Sequence, residues 1–337
     1  MSKLSSLPEP YPDEALSSWM YRVRETAPEP EIRALSGMSD GERHASPLCS
    51  VYFKTVDFNV NDYDFDFTSP GVQAFAQCYD ISIDWIKRTF APEGNQIIPV
   101  RFRSDYCLQC MEQSVKDVGF PIYLKSWRLL LKPFCEKHGC VLRSADNYLH
   151  AAIDFSMDVF EFDSGRQQEL ERQAEWLKRD TSVHALAQMV VNRIDTLLSR
   201  EHDGVVRDKA ERFVLTLLRL TLMSECWGDY ESVLKFKVNS RENFESMKKL
   251  ALFHQLPFRV TAIARARSFY LIGLMLGWIN EEQALQARPS VDLYLTTSVT
   301  SLWQRMGPLY RIQPILHLYS TELLNTSSLN GWGRFDV

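Results

Sequence analysis

The sequence predicts a mainly α-helical protein, on three observations. Apolar residues recur at helical spacing in one segment after another. No series of alternating strands and hairpin turns is present, and strand-like pieces are confined to short runs such as Gln96-Ile-Ile-Pro-Val-Arg101. No internal repeat of solenoid length is visible. The expected organisation is a helical, helix-turn-helix-like N-terminal module at 1–100, a zinc-finger-like module at 101–145 and a helical C-terminal region at 146–337.

The N-terminal arm carries Pro8, Pro10 and Pro12, which forbid a helix before Asp13. Leu16, Trp19, Met20 and Val23 then fall at i, i+3, i+4 and i+7, one apolar stripe on a helix of about three turns. Asp13 and Glu14 suit its dipole-positive first turn, and Pro28 and Pro30 end it. The following loop closes with Asp57-Phe-Asn-Val-Asn-Asp-Tyr-Asp-Phe-Asp66, which reads as an extended loop with buried rings and solvated carboxylates. A calcium loop is the alternative, but the glycine of an EF-hand turn is missing. Ser69-Pro70 is a helix start with Ser as cap and Pro in the first turn. Val72, Phe75, Ala76 and Tyr79 form that helix's stripe, and a break at Asp80-Ile-Ser82 leads to a second helix with Ile83, Ile86 and Phe90. Two short helices on a tight turn make a helix-turn-helix-like pair, a pattern that any small helical bundle shares.

Beyond residue 145, helices are expected around 166–179, 183–199, 207–226, 241–254, 259–277, 281–287 and 292–306. In the 207–226 segment the stripe is Phe213, Leu217, Leu218, Thr221 and Leu222. The segment Leu274 to Leu285 reads as helix, glycine turn and helix, a second helix-turn-helix candidate.

The chain has 337 residues, room for roughly two domains of about 150 residues each. Its 45% apolar and 24% charged content supplies a core that needs no disulfides. The longest apolar run, Phe269 to Ile279, is too short for a membrane span of about 20 residues. The Ser- and Pro-rich start lacks the apolar stretch of a signal peptide, and the seven cysteines are an odd number. Both point to a cytoplasmic protein. The net charge of −5 excludes a bulk polycation that coats nucleic acid. That total hides a segregation: −8 over residues 1–85, +5 over 86–143 and −2 over 144–337.

The cysteines cluster in the basic middle. Cys107-Leu-Gln-Cys110 is followed by Cys135-Glu-Lys-His138, and each half has the spacing that lets two side chains grip one metal from a tight turn. Three thiolates and an imidazole suit tetrahedral Zn²⁺, and four protein ligands make the site structural rather than catalytic. With Zn²⁺ bound, such a site carries a net −1 and softens the surrounding basic charge. Phe120, Tyr123, Trp127, Leu129 and Leu130 lie between the halves and can form a small core around the metal. The alternative is a set of buried free thiols. Cys140 reads as a small apolar packing residue, and Cys49, Cys78 and Cys226 as ordinary isolated cysteines. No phosphate loop, dinucleotide fingerprint, zincin motif or nucleophile elbow is present, so the expectation is a protein that is not an enzyme.

A second basic stretch carries Lys235, Lys237, Arg241, Lys248, Lys249, Arg259, Arg265 and Arg267 against two acids. It is either a solvated helix face or a face that binds nucleic-acid phosphates or a partner.

Two stretches resemble the TniQ/TnsD family of transposon target-selection proteins. The first is Pro10-Tyr-Pro-Asp-Glu-Ala-Leu-Ser-Ser-Trp-Met-Tyr-Arg22, in which Trp19 is expected to pack and Arg22 to pair with an acid. The second is Asp105-Tyr-Cys107-Leu-Gln-Cys110, then Trp127-Arg-Leu129, then Cys135-Glu-Lys-His138-Gly-Cys-Val-Leu142. Leu108 stands where the family often has proline, and no second four-cysteine site follows downstream. The resemblance implies a non-catalytic adaptor that marks an insertion site and recruits an AAA+ ATPase, which brings the transposase. In one branch such proteins bind attachment-site DNA directly. In another they dock, as a homodimer, on a CRISPR Cascade complex, where guide pairing reads the sequence.

Overall fold

The computed structural model describes residues 7–26, 62–91, 96–145, 159–161, 181–200, 204–223, 254–287, 298 and 300. The chain forms two compact units, one of residues 1–132 with 143–166, the other of residues 133–142 with 167–337. Among the described residues the architecture is mainly helical, with one two-stranded antiparallel sheet.

In the first unit, α1 (Leu16–Thr26) places its predicted stripe inward: Leu16, Trp19, Met20 and Val23 are all buried. Pro28 and Pro30 lie outside the described residues. α2 (Pro70–Tyr79) and α3 (Ile83–Phe90) close the core over α1 with Val72, Phe75, Ala76, Tyr79, Ile86 and Phe90. The Trp19 ring sits at the centre, 5.7 Å from Phe75, 5.5 Å from Trp85 and 5.3 Å from Phe90 between centroids. Its indole N–H donates to the Pro8 carbonyl at 2.8 Å, so the proline arm is laid against the helix it precedes.

The tight turn between α2 and α3 depends on Asp80, which adopts a left-handed backbone (φ 54°) as the C-cap of α2. Aspartate tolerates that region better than most non-glycine residues. Ser69 occupies the expected cap position of α2, but its hydroxyl makes no capping bond; Pro70 supplies the start. Ser82 caps α3 by accepting from the Asp84 N–H at 3.2 Å.

The expected strand at Gln96–Arg101 is reduced to a single bridge, Ile97 with Leu129, because Val100–Phe102 turns into a 3₁₀ helix after Pro99. β1 (Asp105–Tyr106) pairs with β2 (Arg143–Ser144), in the register Asp105 with Ser144 and Tyr106 with Arg143. α4 (Leu108–Val118) begins two residues after β1 and ends at Gly119, whose φ of 76° only glycine adopts freely. A second 3₁₀ turn, Lys125–Arg128, follows.

In the second unit, α5 (Thr181–Arg200), α6 (Gly204–Met223), α7 (Ala262–Met275) and α8 (Glu281–Ala287) realise the helices expected at 183–199, 207–226, 259–277 and 281–287. α7 is buried on nearly every side and packs against α5 and α6. The expected helix at 259–277 is interrupted: residues 254–259 form one helical segment, and Thr261 caps a new helix by accepting from the Ala264 N–H at 3.3 Å. Gly277 (φ 64°) turns the chain into α8, which opens with a reciprocal cap between Asn280 and Gln283 at 3.0 and 2.8 Å. The helices expected at 166–179, 241–254 and 292–306 lie outside the described residues, apart from residues 254, 298 and 300. Among the described residues no helix is long and apolar enough to cross a membrane.

Candidate metal centre

The segment that leads to the centre reads Arg103-Ser-Asp105-Tyr-Cys107, and its positions 103, 105 and 107 carry a cation, a carboxylate and a thiol. All three residues are buried. Cys107 is the N-cap of α4, with its carbonyl accepting from the Met111 N–H at 3.1 Å, and Cys110 sits in that helix's first turn. Both sulfurs thus lie at the positive end of a helix dipole, where negative charge is favoured. Leu108 is the first residue of α4, the position at which a helix accepts proline most readily.

Cys135 and His138 come from a closed turn. The Cys135 N–H donates to the Cys140 carbonyl and the Gly139 N–H to the Cys135 carbonyl, both at 2.8 Å, and Phe134 pairs with Val141. Gly139 has φ 63°, which that tight return requires of a residue without Cβ strain.

The structure brings Cys107, Cys110, Cys135 and His138 together: one ligand atom from each lies within 4.8 Å of every other. The three cysteines are buried and His138 is partly exposed. Cys135 Sγ is 3.5 Å from His138 Nδ1. A tetrahedral ion with metal–sulfur distances of about 2.3 Å and metal–nitrogen distances of about 2.0–2.1 Å has sulfur–nitrogen edges of about 3.5 Å. The donor set therefore fits a metal ion. The expected packing around it is present, with Tyr123, Trp127, Leu129 and Leu130 buried and Phe120 partly so. Cys140 is partly exposed rather than packed away, and Cys78 is likewise partly exposed on α2.

Sequence reasoning missed a buried ionic network in the first unit. The carboxylates at Asp62 and Asp64, expected in solvent, instead hold Arg103: its Nη1 donates to Asp62 Oδ1 at 2.6 Å and faces Asp64 Oδ2 at 3.4 Å, and its Nη2 pairs with Asp62 Oδ2. Arg128 Nε lies 3.5 Å from the same Asp64 oxygen. The Asp64 Oδ1 accepts from the Ser17 N–H at 2.8 Å, so a carboxylate from a distant loop caps the dipole-positive end of α1. Arg103 also lies over Phe65 and Arg128 over Tyr123, at 4.7 and 4.8 Å. Burial pushes the Arg128 guanidinium below its usual value, with the Asp64 charge opposing.

Arg22 finds its acid in Glu14, Nη2 to Oε2 at 2.7 Å, with both side chains buried. Burial raises the Glu14 pKa and outweighs the opposing Arg22 charge. Asp13 (φ 61°) takes a bond from the Lys125 N–H on its carbonyl at 2.7 Å and one from the Ser126 hydroxyl on its carboxylate at 2.6 Å. The arm, α1 and the 123–128 segment are thereby one assembly.

Of the second basic stretch, Lys235, Lys237, Arg241, Lys248 and Lys249 lie outside the described residues. Arg259 is exposed. Arg265 is buried, with Nη1 donating to the Val260 carbonyl at 3.0 Å, and Arg267 is partly buried beside His184. The expectation of one basic face is corrected for Arg265, which presents its charge to the protein interior.

Residues 6–142 match the TniQ family model. No curated protein and no solved structure matches the chain.

Proposed function

We propose, from the match of residues 6–142 to the TniQ family model, that this chain is a non-catalytic adaptor of transposition targeting. A TniQ domain implies a role in directing transposition. The finer reading is that this protein links a target-recognition complex of the CRISPR Cascade type to the transposon's AAA+ ATPase and transposase, as a homodimer in the cytoplasm. The observation that carries it is the coincidence of the family match with a four-residue cluster of Cys107, Cys110, Cys135 and His138. A set of four protein ligands leaves no open position for substrate or water, which favours a structural ion, zinc by donor chemistry. The modest net charge of −5 favours docking on protein partners over gripping DNA alone.

When bound, the ion supplies folding free energy rather than reactivity. The residues of this chain do the rest. β1 and β2 fix the approach to Cys107, α4 orients Cys110, and the Cys135–Cys140 turn presents Cys135 beside His138. Metal analysis of the purified protein should find about one zinc per chain, with Cys107→Ser or Cys135→Ser lowering that content and leaving the protein aggregated. A folded, soluble protein that holds no metal would refute the structural ion. The adaptor reading is tested by co-purification with a guide-loaded Cascade complex in the absence of target DNA; failure to bind at low salt would overturn it.

A second reading, direct recognition of attachment-site DNA, is favoured by the α2–α3 helix pair, whose second helix exposes Lys87 and Arg88. Tight, salt-sensitive binding of one DNA sequence by the protein alone would select it.

A further inference from the structure

The turn that supplies two of the four clustered ligands also carries a cysteine that the cluster leaves out. Phe134 and Val141 pair antiparallel, and on the next rung inward Cys135 faces a bulge of Gly139 and Cys140: its N–H donates to the Cys140 carbonyl and its carbonyl accepts from the Gly139 N–H, both at 2.8 Å. Cys135 and Cys140 are thus joined directly by one backbone hydrogen bond across the turn. Disulfides form at Cα separations of about 4.4–6.8 Å, the range in which residues joined by such a bond fall. The two thiols differ in access: Cys135 is 1% exposed, whereas Cys140 is partly exposed. Cys107 and Cys110, the other vicinal pair, are both buried.

We propose that Cys135 and Cys140 form a redox pair, in which a peroxide oxidises Cys140 and the resulting disulfide withdraws Cys135 from the metal cluster. The proposal rests on the metal reading of the cluster. The Cys140 sulfur attacks the peroxide oxygen; the O–O bond breaks, a sulfenic acid forms and one water leaves. The Cys135 sulfur then attacks the Cys140 sulfur, the S–O bond breaks, and hydroxide departs and takes a proton from solvent to become the second water. In sum one thiol, one thiolate, one hydrogen peroxide and one proton give one disulfide and two waters. The Cys135 sulfur can no longer act as a thiolate ligand, which leaves Cys107, Cys110 and His138, too few to close a structural site. Because the ion contributes folding energy, its loss loosens the 133–142 turn.

The test uses the full-length, metal-loaded protein and stoichiometric hydrogen peroxide. Metal release is read with a chromogenic chelator, and the cysteine connectivity by peptide mapping under non-reducing conditions. The expected result is a Cys135–Cys140 disulfide that appears in step with metal release, and at least tenfold slower release from Cys140→Ser, whose cluster ligands are intact. Release from Cys78→Ser should match the parent protein. Equal release from Cys140→Ser, or a Cys107–Cys110 disulfide as the first product, would overturn the proposal. If the purified protein holds no metal, the cluster reading fails on the chelator, while peptide mapping still decides whether the Cys135–Cys140 bond forms.

Discussion

Replacing Asp64 with alanine tests whether the buried ionic network holds the first unit together. The carboxylate has three partners: the Ser17 N–H at 2.8 Å, Arg103 Nη1 at 3.4 Å and Arg128 Nε at 3.5 Å. Its removal strands charge unequally. Arg103 keeps both oxygens of Asp62, whereas Arg128, 1% exposed, loses the carboxylate beside its Nε. Breaking a buried pair by deleting one partner costs about 3–5 kcal/mol. The two long separations place this pair at the low end, and the lost α1 cap offsets part of that discount, so the expected loss is about 3 kcal/mol. At about 1.4 kcal/mol per decade, α1 amides that exchange through opening of the core should exchange roughly 100- to 200-fold faster. Hydrogen–deuterium exchange of the α1 peptides, Ser17 included, measures this directly. Asp66→Ala is the control, because its exposed carboxylate bonds the neighbouring Thr68 N–H and hydroxyl. An Asp64→Ala acceleration below tenfold, or one equal to the control, would refute the argument.

Three further outcomes are expected. Gly273→Ala would place a Cβ 2.5 Å from Val190 Cγ2 and 2.6 Å from Ile279 Cδ1, so it should destabilise the α5–α7 packing by about 1–3 kcal/mol, read from a denaturant midpoint at unchanged m. His184 is held down to about 4 by burial and by the neighbouring Arg267 charge. The unfolded chain, with histidine near 6.5, takes up that proton first; the stabilisation present above pH 6.5 is therefore lost as pH falls toward 4, by on the order of 2–3 kcal/mol. His184→Gln should flatten that slope, and an unchanged slope would assign it to other groups. Asp13→Ala removes the carboxylate that binds Ser126 and leaves a left-handed residue without aspartate's local compensation, so the thermal midpoint should fall by the equivalent of about 1–2 kcal/mol.

What was legible in the sequence follows from how local each signal is. The stripes of α1, α2 and α3 repeat every three or four residues, and a helix turns that repeat directly into a buried face. The metal half-sites were legible for the same reason, since each pair of ligands is fixed by a single turn. α7 was legible as a helix but not in its start, because an almost wholly apolar segment has no periodicity to mark the break at Thr261. The Asp62–Asp64–Arg103–Arg128 network was not legible at all. Arg103 lies 41 and 39 residues from Asp62 and Asp64, with Arg128 farther still, and an aspartate alternating with aromatic rings has the same pattern whether it faces water or a buried guanidinium. Arg265 failed for the opposite reason: a run of basic residues carries no information about which of them the helix turns inward.

The network and the metal centre are linked by one stretch of backbone. Arg103 and Cys107 both have extended dihedrals, and between them Asp105 pairs with Ser144, whose hydroxyl donates to the Asp105 carboxylate at 2.7 Å. Asp105, Tyr106 and Cys107 are all buried, so the backbone that seats Arg103 on Asp62 runs through protein interior to Cys107. A one-residue slip in the β1–β2 pairing would part Asp105 from the Ser144 hydroxyl and leave a buried carboxylate without it. The ion pairs therefore do more than contribute stability, which buried pairs do poorly compared with apolar packing. They make any other placement of the 103–107 segment costly, and with it any displacement of Cys107 from Cys110, Cys135 and His138.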